Sequence, residues 1–163
     1  MATKQKNKIF LISVLIFIFF VLFLAFVIEH GLNHQPCKLC VYERLPYFLS
    51  ALLIIKILLF NKNEKITLLI ISLTFFIGFL LSFYHFGIEQ GFFRESFACI
   101  TADIENTLTK EDLLEELKNN NIISCKDVSF RILGLSLATI NTIFSLGLSV
   151  IFTKLFIDYG KNK

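Results

Sequence analysis

Four cysteines hold the chemistry available to this chain. Cys37 and Cys40 form a CxxC pair inside QPCKLCVYER at 35–44, and Cys99 and Cys125 follow much later. A CxxC pair serves three chemistries. A structural zinc site asks for a second such pair, but Cys99 and Cys125 stand 26 positions apart, so no metal site is expected. Covalent haem attachment asks for His directly after the second cysteine, and position 41 is Val. The remaining chemistry is a redox dithiol, whose sulfurs alternate between thiols and a disulfide through thiolate attack.

The neighbours of the pair fit that chemistry. Arg44 comes four residues after Cys40, which puts both on one helical face. If Cys40 stands at the start of a helix, the helix dipole and the guanidinium both favour a thiolate there. Glu43 either manages protons or stands as a solvated acid beside Arg44. Tyr84 and His85 end an apolar run. His85 is placed either to donate a proton or hydrogen bond to an electron acceptor, or to serve as a boundary residue of an aromatic belt. Cys99 and Cys125 bracket a long excursion, which they either brace statically or link to the CxxC pair as a relay.

The elements that position these residues are membrane helices. Hydrophobic residues make up 55% of the 163, Phe alone numbers 20, and charged residues are 18%. The mean hydropathy is +0.71. A net charge of +3, spread thinly, excludes a nucleic-acid binder. Apolar runs predict helices over about 9–28, 41–60, 66–86 and 132–157. The first follows Lys4, Lys6 and Lys8 and ends in Glu29-His30-Gly31, which is no signal-peptidase site, so it reads as an uncleaved crossing. The second reaches spanning length only when extended back to Val41. Pro46 then falls among its first residues, where a missing N–H is tolerated.

Four crossings place both termini on one side. That side, with the short middle loop, carries nine Lys or Arg against two acids, and the other side seven against eleven. The positive-inside rule makes the first side cytoplasmic. Loops of about 29–40 and 87–131 then face outward, and all four cysteines lie on that outer side, where disulfides persist. Within the second loop, 109–118 reads as a short amphipathic helix with Thr109 as N-cap and Leu113, Leu114 and Leu117 on one face. It lies either on the bilayer surface or against the bundle. The polar and small residues of the last helix, Ser136, Thr139, Asn141, Thr142, Ser145 and Gly147, with Gly134 just before them, read as helix-packing positions. The expectation is one all-α membrane domain over 1–163, a four-helix bundle with two outward loops. Electrons reaching Cys37–Cys40 need an acceptor at the membrane boundary, and a lipid-soluble quinone suits that place.

The segments PCKLCVYER at 36–44, YHFGIEQGFF at 84–93 and SCKDVSFRILGLSLATIN at 124–141, with Cys99, resemble the DsbB family of bacterial disulfide-bond formation proteins. The resemblance covers essentially the whole chain. It implies a four-helix bundle in the bacterial inner membrane that reoxidises a periplasmic DsbA-like thiol oxidase and passes electrons to ubiquinone or menaquinone. It implies disulfides Cys37–Cys40 and Cys99–Cys125. Cys40 would be the thiolate that engages the quinone, with Arg44 in support and His85 near the quinone. Cys99 would form the mixed disulfide with the partner oxidase, and Cys37 and Cys125 would meet in an intermediate.

Other readings of the same residues stay open. One is a paralogous oxidase dedicated to a particular partner. Others are a scaffold that its disulfides only brace, and a metal protein using Cys37, Cys40 and His34. An enzyme of the vitamin K epoxide reductase type would carry its CxxC late in the bundle, whereas here it precedes the second helix.

Overall fold

The computed structural model describes residues 2–31, 36–60, 63–94, 125–126, 131–132 and 134–161. Its elements are α1 (Ala2–Phe26), a π-helical turn (Val27–Gly31), α2 (Lys38–Tyr42), α3 (Leu45–Phe60), α4 (Glu64–Glu89), β1 (Arg131–Ile132), β2 (Leu135–Ser136) and α5 (Leu137–Lys161). The expected amphipathic helix at 109–118, and Cys99, lie outside the described residues.

Three helical stretches are long and apolar enough to cross a membrane: Lys8–Gly31, Glu64–Glu89 and Leu137–Tyr159. They are apolar on nearly every face, as helices facing lipid must be. Ile9, Ile16, Phe20 and Phe23 of α1 all point outward, while Leu11, Val14, Ile18 and Leu22 point in. At 16 residues α3 is shorter. It rises only about 24 Å against a hydrocarbon core of about 30 Å.

The second helical segment differs from the continuous helix expected over 41–60. It is two pieces, α2 and α3, separated by a turn at Glu43 and Arg44. Pro46 explains the break, because it has no N–H to offer the Tyr42 carbonyl four residues back. Arg44 N instead reaches Val41 O at 3.1 Å, and Tyr47 N takes Arg44 O at 3.1 Å. The last helix also differs from the expected 132–157. It starts at Leu137, and residues before it form a small antiparallel ladder pairing Arg131 with Ser136 and Ile132 with Leu135. Gly134 turns that ladder with φ +84, a conformation other residues rarely adopt. Ser136 then caps α5 by accepting from Thr139 N at 3.2 Å.

The core runs through α1, α3, α4 and α5. Ile18, Ile54, Ile71, Phe75 and Phe152 are fully buried. The Phe75 and Phe152 rings stack with centroids 5.8 Å apart, and Tyr47 meets Phe75 edge-on at 5.6 Å. α4 and α5 approach closely through small residues. Ser72 and Ser149 each donate to the other's backbone carbonyl, at 3.3 and 3.2 Å. At Gly78, an added Cβ would stand 3.2 Å from Pro46 and 3.6 Å from Ser145 Oγ, so α4 meets both α3 and α5 there. Of the positions the sequence assigns to helix packing, Ser145 meets α4 in this way, whereas an added Cβ at Gly134 or Gly147 would meet nothing within 4 Å.

Candidate functional site

The break before Pro46 turns α2 so that its start faces the end of α4. Cys37 is the N-cap of α2, in extended conformation, and its sulfur accepts from Cys40 N at 3.2 Å. Cys37 and Cys40 are free thiols, so the pair stands in its dithiol form. Cys37 is buried, and Cys40 is half-buried.

His85 of α4 comes against the pair. Its Nε2 is 3.6 Å from Cys37 Sγ, and its Nδ1 is 2.8 Å from Glu43 Oε1. A carboxylate oxygen accepts, so Nδ1 carries the proton and Nε2 faces the sulfur. The other Glu43 oxygen accepts from Asn141 Nδ2 at 2.7 Å, and Asn141 Oδ1 accepts from Tyr47 OH at 2.5 Å. On the far side, Glu89 Oε1 lies 4.0 Å from His85 Nε2, and Glu89 Oε2 accepts from Ser136 Oγ. Glu43 and His85 are 7% and 3% exposed, so this polar chain is sealed into the bundle and each member is held by the next.

The electrostatics differ from the sequence expectation that Cys40 is the favoured thiolate. The Cys37 thiol is brought down to about 5, first by the hydrogen bond from the Cys40 thiol; burial opposes this, and His85 adds a hydrogen bond and its charge. The same hydrogen bond, then burial, then the charge of Cys37 push the Cys40 thiol well above its ordinary value. The reason is positional: the cap position, which collects donors, belongs to Cys37, three residues before Cys40. Arg44 does not add its charge to Cys40. Its Nη1 donates to Glu29 Oε2 at 2.6 Å, and its guanidinium lies 5.5 Å over the Phe26 ring. Phe26 also lines an open apolar hollow of about 560 Å³ with Val27, His30 and Gly31.

Cys125 is disulfide-bonded and 2% exposed. It shares one buried cluster with Cys37, Leu39 and Ile88, and Cys40 and Tyr84 pack against that cluster. Sequence reasoning had Cys37, Cys40, Glu43, His85 and Cys125 as candidates, and the structure brings these five to one end of the bundle. It missed Glu29, Glu89, Asn141 and Ser136. The spacing of Glu89 from His85, one helical turn, was the available signal. Asn141 was read as a packing residue, though a polar amide in a membrane helix also marks sites.

A membrane bundle with a buried CxxC dithiol at one end, an imidazole on one sulfur and a third, disulfide-bonded cysteine beside it defines a membrane thiol oxidoreductase. The sequence matches the family model described as Disulfide bond formation protein DsbB over residues 7–155, and the chain belongs to the DsbB family, the membrane proteins of disulfide bond formation. It is also similar to a Rickettsia prowazekii (strain Madrid E) protein described as Uncharacterized protein RP370, with 28% identity over 160 residues, 98% of this chain and 92% of that one.

Proposed function

We propose that this protein is a thiol:quinone oxidoreductase of the bacterial inner membrane. It would reoxidise a periplasmic DsbA-like dithiol oxidase and pass the electrons to ubiquinone or menaquinone. The fourth crossing would be made by α2 and α3 together, with both termini cytoplasmic and the cysteines outside. The observation that carries the reading is that Cys37 and Cys125 belong to one buried cluster, since exchange between two pairs requires that a sulfur of each come within reach of the other.

The proposed sequence of exchanges balances on this chain's own sulfurs. The reduced partner attacks a Cys99–Cys125 disulfide at Cys99, and Cys125 leaves as a thiolate. Cys125 attacks Cys37 of an oxidised Cys37–Cys40 pair, forming Cys37–Cys125 and releasing Cys40. The partner's second thiolate then attacks its own sulfur in the mixed disulfide, which frees Cys99 and leaves the partner oxidised. Cys99 attacks Cys125, restoring their disulfide and expelling Cys37. A sulfur with a lowered pKa leaves faster, so the environment of Cys37 directs this last exchange. The end state is a Cys37/Cys40 dithiol beside a disulfide-bonded Cys125, the combination found here.

A quinone would supply the two-electron sink, taking up two electrons and two protons. Arg44 would hold a quinone oxygen, because its guanidinium has donors beyond the one given to Glu29 and stands over Phe26, a wall of the apolar hollow. His85 fits a different role. In this dithiol state both its nitrogens are engaged, so it would hold and move the Cys37 proton with Glu43 orienting the ring.

The test is quinone reduction by the reconstituted protein, supplied with a reduced dithiol carrier. One quinone should be reduced per dithiol oxidised, and Cys40→Ser should stop it. A Cys40→Ser variant with the wild-type rate would sink the reading. In cells, Cys125→Ser should leave the partner oxidase trapped on Cys99.

A further inference from the structure

The same geometry suits a second kind of ligand. Cys37 Sγ, Cys40 Sγ and a nitrogen of His85 all lie within 4.8 Å of one another. A tetrahedral zinc ion, with Zn–S near 2.3 Å and Zn–N near 2.05 Å, needs sulfur and nitrogen about 3.6 Å apart. Cys37 Sγ and His85 Nε2 stand 3.6 Å apart. The imidazole is also oriented as a ligand. Nδ1 donates to Glu43 at 2.8 Å, so Nε2, the nitrogen facing the sulfurs, is the one whose proton a metal would displace. Glu43 is itself fixed by Asn141 at 2.7 Å. Glu89 Oε1, 4.0 Å from Nε2, stands outside the three-residue group, so a fourth ligand is water or a Glu89 that moves inward.

We propose that the dithiol form of this protein is a binding site for a borderline-soft divalent cation of the Zn²⁺ type. Cys37, Cys40 and His85 are its ligands, Glu43 is the partner that orients His85, and Glu89 or water completes the tetrahedron. Binding releases the remaining thiol protons and the His85 Nε2 proton, and holds both sulfurs as metal thiolates. A Cys37–Cys40 disulfide has no thiolate to offer, so oxidation abolishes the site. Occupancy is therefore gated by redox state, and a bound cation withholds both sulfurs from exchange. The binding claim is independent of the oxidase reading; only the inhibition rests on it.

Two residue types in CxxC were insufficient for this site in the sequence. His85 lies 45 positions beyond Cys40, and only the packing of α2 against α4 supplies it.

The experiment uses the full chain in detergent, reduced and then freed of reductant, with Co²⁺ as the spectroscopic probe. The expected result is one Co²⁺ per reduced chain, with sulfur-to-cobalt charge-transfer absorption that Zn²⁺ abolishes by competition. Oxidised protein and alkylated protein should show no such band. Glu43→Gln should weaken binding about 10-fold, as loss of an orienting partner does, and His85→Ala should weaken it further. Reduced protein that binds no more Co²⁺ than oxidised protein overturns the proposal. So does His85→Ala binding with wild-type affinity, since that would reduce the site to a bare dithiol chelate. Quinone reduction by the metal-free preparation separates the two readings. Normal turnover without Co²⁺ binding sinks the cation site alone, and Co²⁺ binding without turnover sinks the oxidase reading alone.

Discussion

Two buried regions of this bundle are closed by different physics. The middle is closed by shape. Phe75, Phe152, Ile54 and Ile71 fill it, and Ser72 and Ser149 within it are each satisfied by the neighbouring helix backbone. The end holding α2 is closed by hydrogen bonds. Cys37, His85, Glu43, Asn141, Glu89 and Ser136 form a chain of side-chain contacts, with two carboxylates around one imidazole. Burying ionisable groups inside a membrane protein is costly even when they are paired. Apolar side chains of similar volume would close that end at lower cost. On the proposed reading, the polar chain serves the chemistry of the dithiol it surrounds.

That contrast can be broken by substitutions that separate the two ends. Cys40→Ser should remove quinone reduction altogether while leaving thermal unfolding near wild type, measured on the same preparation. Phe75→Ala should do the reverse. It should cost about 3–5 kcal/mol of stability, by cavity formation, and leave the Cys37 thiol titration in place. If Phe75→Ala also displaces that titration, the two regions are coupled and the division drawn between them fails.

Glu43→Gln should cut turnover about 10-fold, because it loosens the His85 ring without removing the group that moves the proton. It should also raise the Cys37 thiol pKa by loosening His85, read from thiolate absorbance. A slow variant with unmoved thiolate absorbance would show that Glu43 acts elsewhere.

The pH dependence follows from the sign at Cys37. Its thiol is lowered from 9.0 to about 5 in the folded protein. The stabilising contribution is therefore complete above about pH 9 and is lost as pH falls through about 5. The reduced protein should gain thermal stability over Cys37→Ser as pH rises from about 5 to about 9, with thiolate absorbance appearing near the lower value. A midpoint near 9.0 instead would remove the special environment of Cys37.

The smallest effect belongs to the middle. Ser50 Oγ is buried with no hydrogen-bond partner among the described residues. Ser50→Ala should leave stability unchanged or raise it by up to about 1 kcal/mol, because an unsatisfied hydroxyl gains nothing by burial.

The apolar middle was legible in the sequence because hydrophobic runs report membrane helices directly: the apolar stretches Lys8–Gly31 and Glu64–Glu89 contain the runs at 9–28 and 66–86, though α1 itself begins at Ala2. The ends of elements were less legible. Pro46 is a first-turn proline as expected, but the helix it opens starts at Leu45 and not at Val41, so α2 and α3 are separate. The ladder at 131–136 depends on Gly134 taking a positive φ, which composition alone does not announce. At the site, residue types and spacing were enough to single out Cys37, Cys40, Glu43, Arg44 and His85. Their partners were not recoverable, since each contact spans distant segments: Arg44 meets Glu29, His85 meets Cys37, and Asn141 meets Glu43. The assignment of the thiolate to Cys40 rested on the same limitation. Its local argument assumed that Cys40 would start the helix and that Arg44 would be unpaired. Cys37 takes the cap and Glu29 takes the arginine.

The central claim is that the two cysteine pairs form one relay, joined through Cys37 and Cys125. Its most direct measurement is disulfide mapping of the Cys40→Ser, Cys99→Ser double variant, in which only Cys37 and Cys125 remain. The account predicts a Cys37–Cys125 disulfide in the folded, oxidised protein. Two cysteines that both stay open to alkylation under the same oxidation would contradict it.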